Sequence, residues 1–405
     1  MTKNAKILFY LVFFVTLSIV IFALFAIIFP SFLMTVFYPH SINLEPFESS
    51  VWLVPLICSN SILLVIGFGY YTKKLPHQIY RGIEFILNFE ISKKTALLVG
   101  IIILAVYIGF TLPELALDEV TQYKDAIILE EALEIWPSTD SERTVIKDYN
   151  SRHVRMALLD VSSNIFQNIK FLPFVASILL VVVTFFLTYQ ITQKRFAGII
   201  SMVILLQSHT FLHFDTIAVY ENFWVLFYVA SLYVINKKWQ YSSILYILSA
   251  FTKLFIAAFF LASIYYICRA SISSRKKLFT LASYGGSVIV ILIAFSFSGD
   301  TFSITNISFP DFMLAFNALG YALRYDLVII LSLLPLTLGL FFKFRKEDSK
   351  ADSILVLILT ALLAGPVFAM LTSFLEIGFP VLPYRFLPLI VFVAVGIGVL
   401  LSRKN

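Results

Sequence analysis

The chain has 405 residues, of which 60% are apolar, 13% charged and 16% aromatic, with 42 Phe. A soluble domain is about 45–50% apolar and about 25% charged, so lipid must cover part of this surplus. These figures exclude a disordered chain, a disulfide scaffold and an ordinary cytosolic enzyme.

In chain order, Lys3 and Lys6 precede a long apolar run from Ile7 to Phe29. The run is too long for a signal peptide and no small-residue cleavage site follows, which predicts a retained first span. Further apolar runs fall near 51–71, 95–112, 171–190, 196–211, 219–236, 278–297, 327–343, 352–375 and 384–401. Each is long enough, or nearly so, for a hydrocarbon layer of about 30 Å. Residues 241–268 would exceed that as one helix, and one crossing would misplace Arg269, Arg275, Lys276 and Lys277. Two short helices meeting near Thr252-Lys253 solve both problems. The expected fold is an all-α polytopic membrane protein of about twelve segments, with both termini cytoplasmic.

The charges agree with that count. Expected inner connections hold Lys73, Lys74, Arg81, Lys93 and Lys94; Lys194 and Arg195; Lys237 and Lys238; Lys343, Arg345, Lys346 and Lys350; and Arg403 and Lys404. The net charge of +6 therefore reflects the positive-inside rule rather than a nucleic-acid partner. Cys58 and Cys268 lie far apart in apolar runs, which argues against a structural disulfide and excludes a zinc site built on cysteine.

Two loops are informative. In 72–94, Ile79, Ile83 and Ile86 recur at helical spacing with Arg81 and Glu84 between them. That suits a helix on the membrane surface, with a plain linker as the alternative. The outer loop 114–170 carries eleven of the 24 acidic residues, and its first part, 113–135, reads as a helix after a proline start. Trp136-Pro137-Ser138 interrupts it, and a second amphipathic stretch begins near Ser151.

Ionisable groups near lipid are costly and usually functional. Asp118 and Glu119 closely follow the third span, either as a solvated acidic loop or as paired carboxylates on a helix, pointing about 100° apart, one able to accept a proton. Lys253, between Phe251 and Leu254-Phe255, either snorkels or serves an anion, a cavity or a path to water. Arg385 and Arg324 flank the outer ends of the last and tenth segments, as interfacial anchors or phosphate ligands. His209 and His213 share a helix face near Asp215, but no third metal ligand is evident. Glu221 opens an apolar run and reads as a buried, functional carboxylate. No G-x-G-x-x-G or Walker motif occurs, and no inner loop is large enough to enclose a nucleotide. An activated donor must therefore come from the lipid or from the outer side.

The order of these motifs resembles the GT-C superfamily of membrane glycosyltransferases, nearest to the protein O-mannosyltransferase and lipid A aminoarabinose-transferase types. Leu117-Asp118-Glu119-Val120 with Tyr123 is similar to their first acidic motif. His153-Val154-Arg155 through Leu159 is similar to their His-Pro-Pro-Leu-Tyr stretch without its prolines. Lys194-Arg195-Phe196-Ala197-Gly198 through Tyr220-Glu221-Asn222-Phe223, Leu248 through Thr252-Lys253, and Tyr384-Arg385-Phe386-Leu387-Pro388 resemble later elements of that family. The match covers roughly 95–401, which makes 1–94 a two-span addition with its inner surface loop and 95–405 the GT-C-like transmembrane domain. Within it, 114–170 would be a small helical outer loop domain.

The resemblance implies inverting transfer of a sugar from a polyprenyl-phosphate donor to a protein or glycolipid acceptor on the non-cytoplasmic face. Asp118 would be the base beside Glu119. Lys253, Arg385 and Arg324 would face the donor phosphate, and Glu221, Tyr123, His153, Arg155 and Asp215 would shape the substrate site. The scheme needs no cofactor and no metal, although some related enzymes bind one. It implies residence in the plasma membrane of a prokaryote or the endoplasmic reticulum of a eukaryote, among membrane lipids and away from nucleic acid. The competing readings are a transporter or flippase of lipid-linked or polar solutes, and a catalytically silent GT-C-like scaffold.

Overall fold

The computed structural model describes residues 3–37, 45–138, 152–297, 307–347, 350–372 and 383–402. In chain order the helices are α1 (Lys3–Ile28), α2 (Phe32–Phe37), α3 (Leu53–Tyr71), α4 (His77–Asn88), α5 (Lys93–Thr111), α6 (Lys124–Ile135), α7 (His153–Phe166), α8 (Phe171–Thr192) and α9 (Arg195–Leu205). They continue with α10 (His209–His213), α11 (Phe223–Lys238), α12 (Ser242–Thr252), α13 (Phe260–Arg269), α14 (Ser274–Phe297), α15 (Phe309–Leu323), α16 (Leu327–Glu347), α17 (Ala351–Thr372) and α18 (Leu387–Leu400). No strand occurs among the described residues.

The chain is a multi-pass helical membrane protein. Among the described residues, eight helical stretches are long and apolar enough to cross a bilayer: Ile7–Ile28, Leu53–Tyr71, Lys93–Ala116, Phe171–Thr192, Ser274–Ala294, Leu327–Arg345, Ala351–Leu371 and Pro383–Leu400. Several of the other expected segments form shorter helices, because polar residues interrupt them. The helix of the run 196–211 breaks after Leu205 and resumes only as the short α10 at His209, and the run 219–236 becomes helical only at Phe223, after Glu221 and Asn222. Helix α15 is absent from the expectations; Ser308 caps it by accepting from the Asp311 amide at 3.3 Å, with Pro310 in its first turn.

The chain forms two compact units. The first comprises Met1–Ser92, Thr188–Thr210 and Ser303–Asn405; the second comprises Lys93–Leu187 and Phe211–Phe302. In the first, α18 is the central helix, buried along nearly its whole length. Gly398 lets it touch α9: a Cβ there would meet Ser201 Oγ and, at 2.8 Å, the Ala197 carbonyl.

Helix ends in this unit collect at two levels. Tyr71 packs against Phe342 at 5.1 Å between ring centroids, the Lys194 ammonium donates to the Leu87 carbonyl at 2.8 Å, and Lys343 donates to the Ser402 carbonyl. These contacts tie the basic end of α3 to that of α16, the end of α16 to the residues after α18, and the start of α9 to α4. At the opposite ends, the Ser50 amide donates to Ile28 and the Ser308 amide to Met370. There the buried Asp326 carboxylate also accepts from Ser208 and Thr210.

In the second unit, α12 ends at Thr252, Lys253 is extended (φ −156°, ψ 116°), and a 3₁₀ turn over Leu254–Phe259 leads into α13. The interruption falls where the sequence places it. Helix α13 returns to the end from which α12 departed, since the Ser271 amide donates to Asn236 Oδ1 at 2.8 Å and Lys277 Nζ to the Cys268 carbonyl at 2.7 Å. Hydroxyls fasten both arms of this hairpin to α11: Ser249 to the Trp224 carbonyl at 2.6 Å, Ser242 to the Ser231 carbonyl at 2.9 Å, and Tyr228 with Ser263 at 3.2 Å.

Candidate functional site

The charged groups of the second unit gather where the loop after α5 meets the irregular segment 214–222. Pro113 opens a 3₁₀ turn over Leu112–Ala116, and Leu117 is extended. Residues 118–123 then form turns rather than a helix. This corrects the expectation that one helix spans 113–135 and sets Asp118 and Glu119 about 100° apart. The Asp118 carboxylate accepts its own Val120 amide at 3.0 Å, and Glu119 O accepts the Gln122 and Tyr123 amides, so the chain turns here before α6 starts at Lys124.

The two carboxylates still separate, by burial instead of helical phase. Asp118 is exposed and Glu119 is buried. Glu119 accepts the Ala218 amide at 2.6 Å and the Val219 amide at 3.3 Å. Burial raises its pKa, while the two amides and the cations Lys170 and Arg155 pull it down. Arg155, on α7, takes the other side of the same backbone: its Nη2 donates to the Val219 carbonyl at 2.8 Å. Peptides 218–219 are thus clamped between a carboxylate on their N–H side and a guanidinium on their C=O side.

Arg155 Nε also lies 3.5 Å from Glu221 Oε1, with both side chains 2% exposed. Lys253 and Arg152 act on the same carboxylate electrostatically. The Lys253 ammonium sits 5.7 Å from the Trp224 ring centroid. The helix interruption therefore places a lysine beside a buried ion pair, giving three cations around one carboxylate.

Asp215 anchors the other end of the segment. Its Oδ2 accepts the Tyr107 hydroxyl at 2.7 Å and the Thr111 hydroxyl at 3.4 Å, and its carbonyl accepts Ser177 Oγ at 2.7 Å. Oδ1 is buried without a hydrogen-bond partner among the described residues. Burial, aided by the nearby Glu114 charge, pushes the Asp215 pKa up to about 7 against the pull of these hydrogen bonds. Tyr123 meets His213 Nε2 at 3.0 Å and packs edge-on against Tyr220, which donates to Asp125 at 3.0 Å.

The structure thus brings together Glu119, Tyr123, Arg155, Asp215, Glu221 and Lys253. Asp118 adjoins them on the exposed side of the turn, and His153 is exposed at the start of α7. Arg324 and Arg385 belong to the first unit, where each is half-buried against its neighbouring tyrosine. Arg324 donates to the Tyr325 hydroxyl at 2.7 Å and Arg385 to the Tyr384 hydroxyl at 3.4 Å. Among the described residues, no three His, Cys, Asp or Glu side chains are placed to hold a metal ion together.

Two further residues escaped the sequence reading. Lys170 is buried and donates to the Glu114 carbonyl at 2.6 Å and the Leu117 carbonyl at 3.2 Å, directly before the Asp118 turn. Burial lowers its pKa, while Glu119, Glu114, Asp215 and Asp118 raise it. A lysine directly before a span has the position of an ordinary interfacial anchor, so nothing in the sequence singles it out. Tyr107 was hidden inside an apolar run, and the one available signal was a hydroxyl near the end of that run.

No family model matches the chain, and neither a curated protein nor a solved structure does. A functional reading rests on the residues themselves.

Proposed function

We propose that the chain is an inverting glycosyltransferase that moves a sugar from a polyprenyl-phosphate donor to a protein or glycolipid acceptor on the non-cytoplasmic face. In this proposal the membrane part has about twelve segments of GT-C-like architecture, loop 114–170 forms a small outer helical domain, and both termini are cytoplasmic. The observation that carries the reading is the cation cluster at the α12–α13 interruption, in the same unit as a turn bearing one exposed and one buried carboxylate. A phosphate monoester leaving group needs buried cations, and an acceptor hydroxyl needs an accessible base.

The proposal rests on the second unit alone. The acceptor oxygen attacks the anomeric carbon from the face opposite the phosphate. Its proton passes to Asp118, the sugar–phosphate C–O bond breaks, and the polyprenyl phosphate leaves with the electron pair. Lys253, with Arg155 and Arg152 near Glu221, supplies the positive field for that anion. Glu119 is a positioning residue, because both its oxygens are engaged by the 218–219 amides. Asp118→Asn removes the base and keeps the turn's oxygen acceptor. Turnover then falls about 10²–10⁴-fold with folding unchanged; turnover equal to the parent's takes Asp118 out of the mechanism.

One observation favours a second reading. A broken helix pair with a lysine at the break is also a transporter feature. A transporter or flippase would move the lipid-linked sugar without cleaving it, so the appearance of free polyprenyl phosphate separates the two.

A further inference from the structure

A groove lies in the first unit, at the C-terminal end of α3. There Tyr71 and Thr72 end the helix, Lys73 takes a left-handed conformation (φ 59°), and the Lys74 amide returns to the Gly69 carbonyl at 2.9 Å. Leu75 folds back on the helix over Gly69, where a Cβ would lie 2.7 Å from Leu75 Cδ2. The result is a groove of about 560 Å³ with Leu64, Val65, Phe68 and Leu75 along its wall and Thr72 and Lys74 at one end.

The surroundings identify the occupant. Val65 and Phe68 are 68% and 66% exposed, on the bare apolar side of a spanning helix that also shows Val54, Ile57 and Ile62. The wall of the groove is therefore continuous with a surface that faces acyl chains. Helix α4 follows immediately, and none of its residues is buried. Its Ile79, Ile83 and Ile86 form one stripe and His77, Arg81 and Glu84 the opposite one, as in a helix lying at headgroup level.

The polar end is basic. Lys73, Lys74 and Arg81 are exposed, and Arg345 lies at the end of α16 next to the Tyr71–Phe342 contact. Both carboxylates of residues 72–92 are already engaged. Glu84 accepts the Tyr70 hydroxyl at 2.9 Å and the Asn88 amide at 3.2 Å, and Glu90 pairs with Arg195 at 3.3 Å.

We propose that this groove binds one anionic phospholipid, with an acyl chain along Val65, Phe68 and Leu75 and the phosphate at Lys74 and Lys73. An apolar wall open to lipid with cations at one end complements a molecule that is apolar along its length and negative at its head. The site is independent of the proposed transfer reaction.

Native mass spectrometry of the full chain in neutral detergent tests it, using equimolar phosphatidylglycerol and phosphatidylcholine. The expected result is one phosphatidylglycerol retained in preference to phosphatidylcholine. Lys74→Gln should weaken that retention about fivefold, and Lys73→Gln/Lys74→Gln about 30-fold, at roughly 1 kcal/mol per basic residue near an anionic surface. Gly69→Leu, which forces Leu75 off the helix, should reduce retention with both lysines intact and the chain's circular dichroism unchanged. Equal retention of the two lipids by the parent chain overturns the proposal. So does a phosphatidylglycerol signal that both lysine variants keep, or displacement of it by polyprenyl phosphate at equal concentration.

Discussion

Asp215 shows most directly what burial does to a single group. Its carboxyl titrates at about 7 in the folded chain against 3.8 ordinarily. Between those values the folded state keeps a proton that the unfolded chain has released. Its contribution to stability is therefore present at low pH and is lost as pH rises through that window. Glu119, raised by the same cause, acts in the same direction. Thermal unfolding in detergent should accordingly give a lower midpoint at pH 8 than at pH 5. Asp215→Asn, neutral throughout, should shrink that difference; a difference of unchanged size would show that Asp215 is not its source. Arg155 illustrates the opposite regime. It and Glu221 are both 2% exposed, and removing one partner of such a pair costs about 3–5 kcal/mol because the other charge stays buried.

These two residues also mark how far the sequence could be read. Glu221 and Lys253 stood out because each is a charge in an apolar run, and a charge there requires a partner. Arg155 was visible only through a motif resemblance, and its hold on the Val219 carbonyl was not visible at all. Backbone partners carry no residue code, so neither half of the 218–219 clamp leaves a trace in composition or spacing. Lys170 was masked for the same reason, since both its hydrogen-bond acceptors are main-chain carbonyls.

Among the elements, the α12–α13 hairpin was the most legible. Its length and the basic residues after it demanded a reversal, and Lys253 is extended at the predicted position. The stretch 113–135 misled because apolar spacing continues across it. A proline-led 3₁₀ turn, two backbone hydrogen bonds to Glu119 O and the side-chain oxygen of Asp118 stop the helix and restart it at Lys124. Periodicity reports which residues seek a core, not whether the backbone between them is continuous. The interruption carries its own test. With a phosphate donor at this site, Lys253→Ala should raise the donor KM roughly tenfold or more, from about 1.5–3 kcal/mol for a hydrogen bond to a charged group. The acceptor KM should change little; equal effects on both would speak against a phosphate-binding lysine.

Over the whole molecule, the basic connections were predicted to share one side, and in the first unit hydrogen bonds and ring contacts tie several of those ends together. Asymmetry of Lys and Arg is a property of composition and survives without any knowledge of packing. The interleaving of three separate chain segments in one compact unit is a property of tertiary contacts and was not legible. The proposed orientation predicts that, with Cys58 and Cys268 replaced, single cysteines introduced at exposed positions 118 and 127 label in intact cells. One introduced at position 73 should label only after permeabilisation; the reverse pattern inverts the topology.

The central claim is cleavage of a lipid-linked sugar, and the direct measurement is incubation of the purified chain with a panel of polyprenyl-phosphate sugars and an acceptor hydroxyl. The account predicts free polyprenyl phosphate in step with glycosylated acceptor for at least one donor, with both products lost in Asp118→Asn. Donors recovered intact across the panel, or carried whole across a vesicle bilayer, would contradict it.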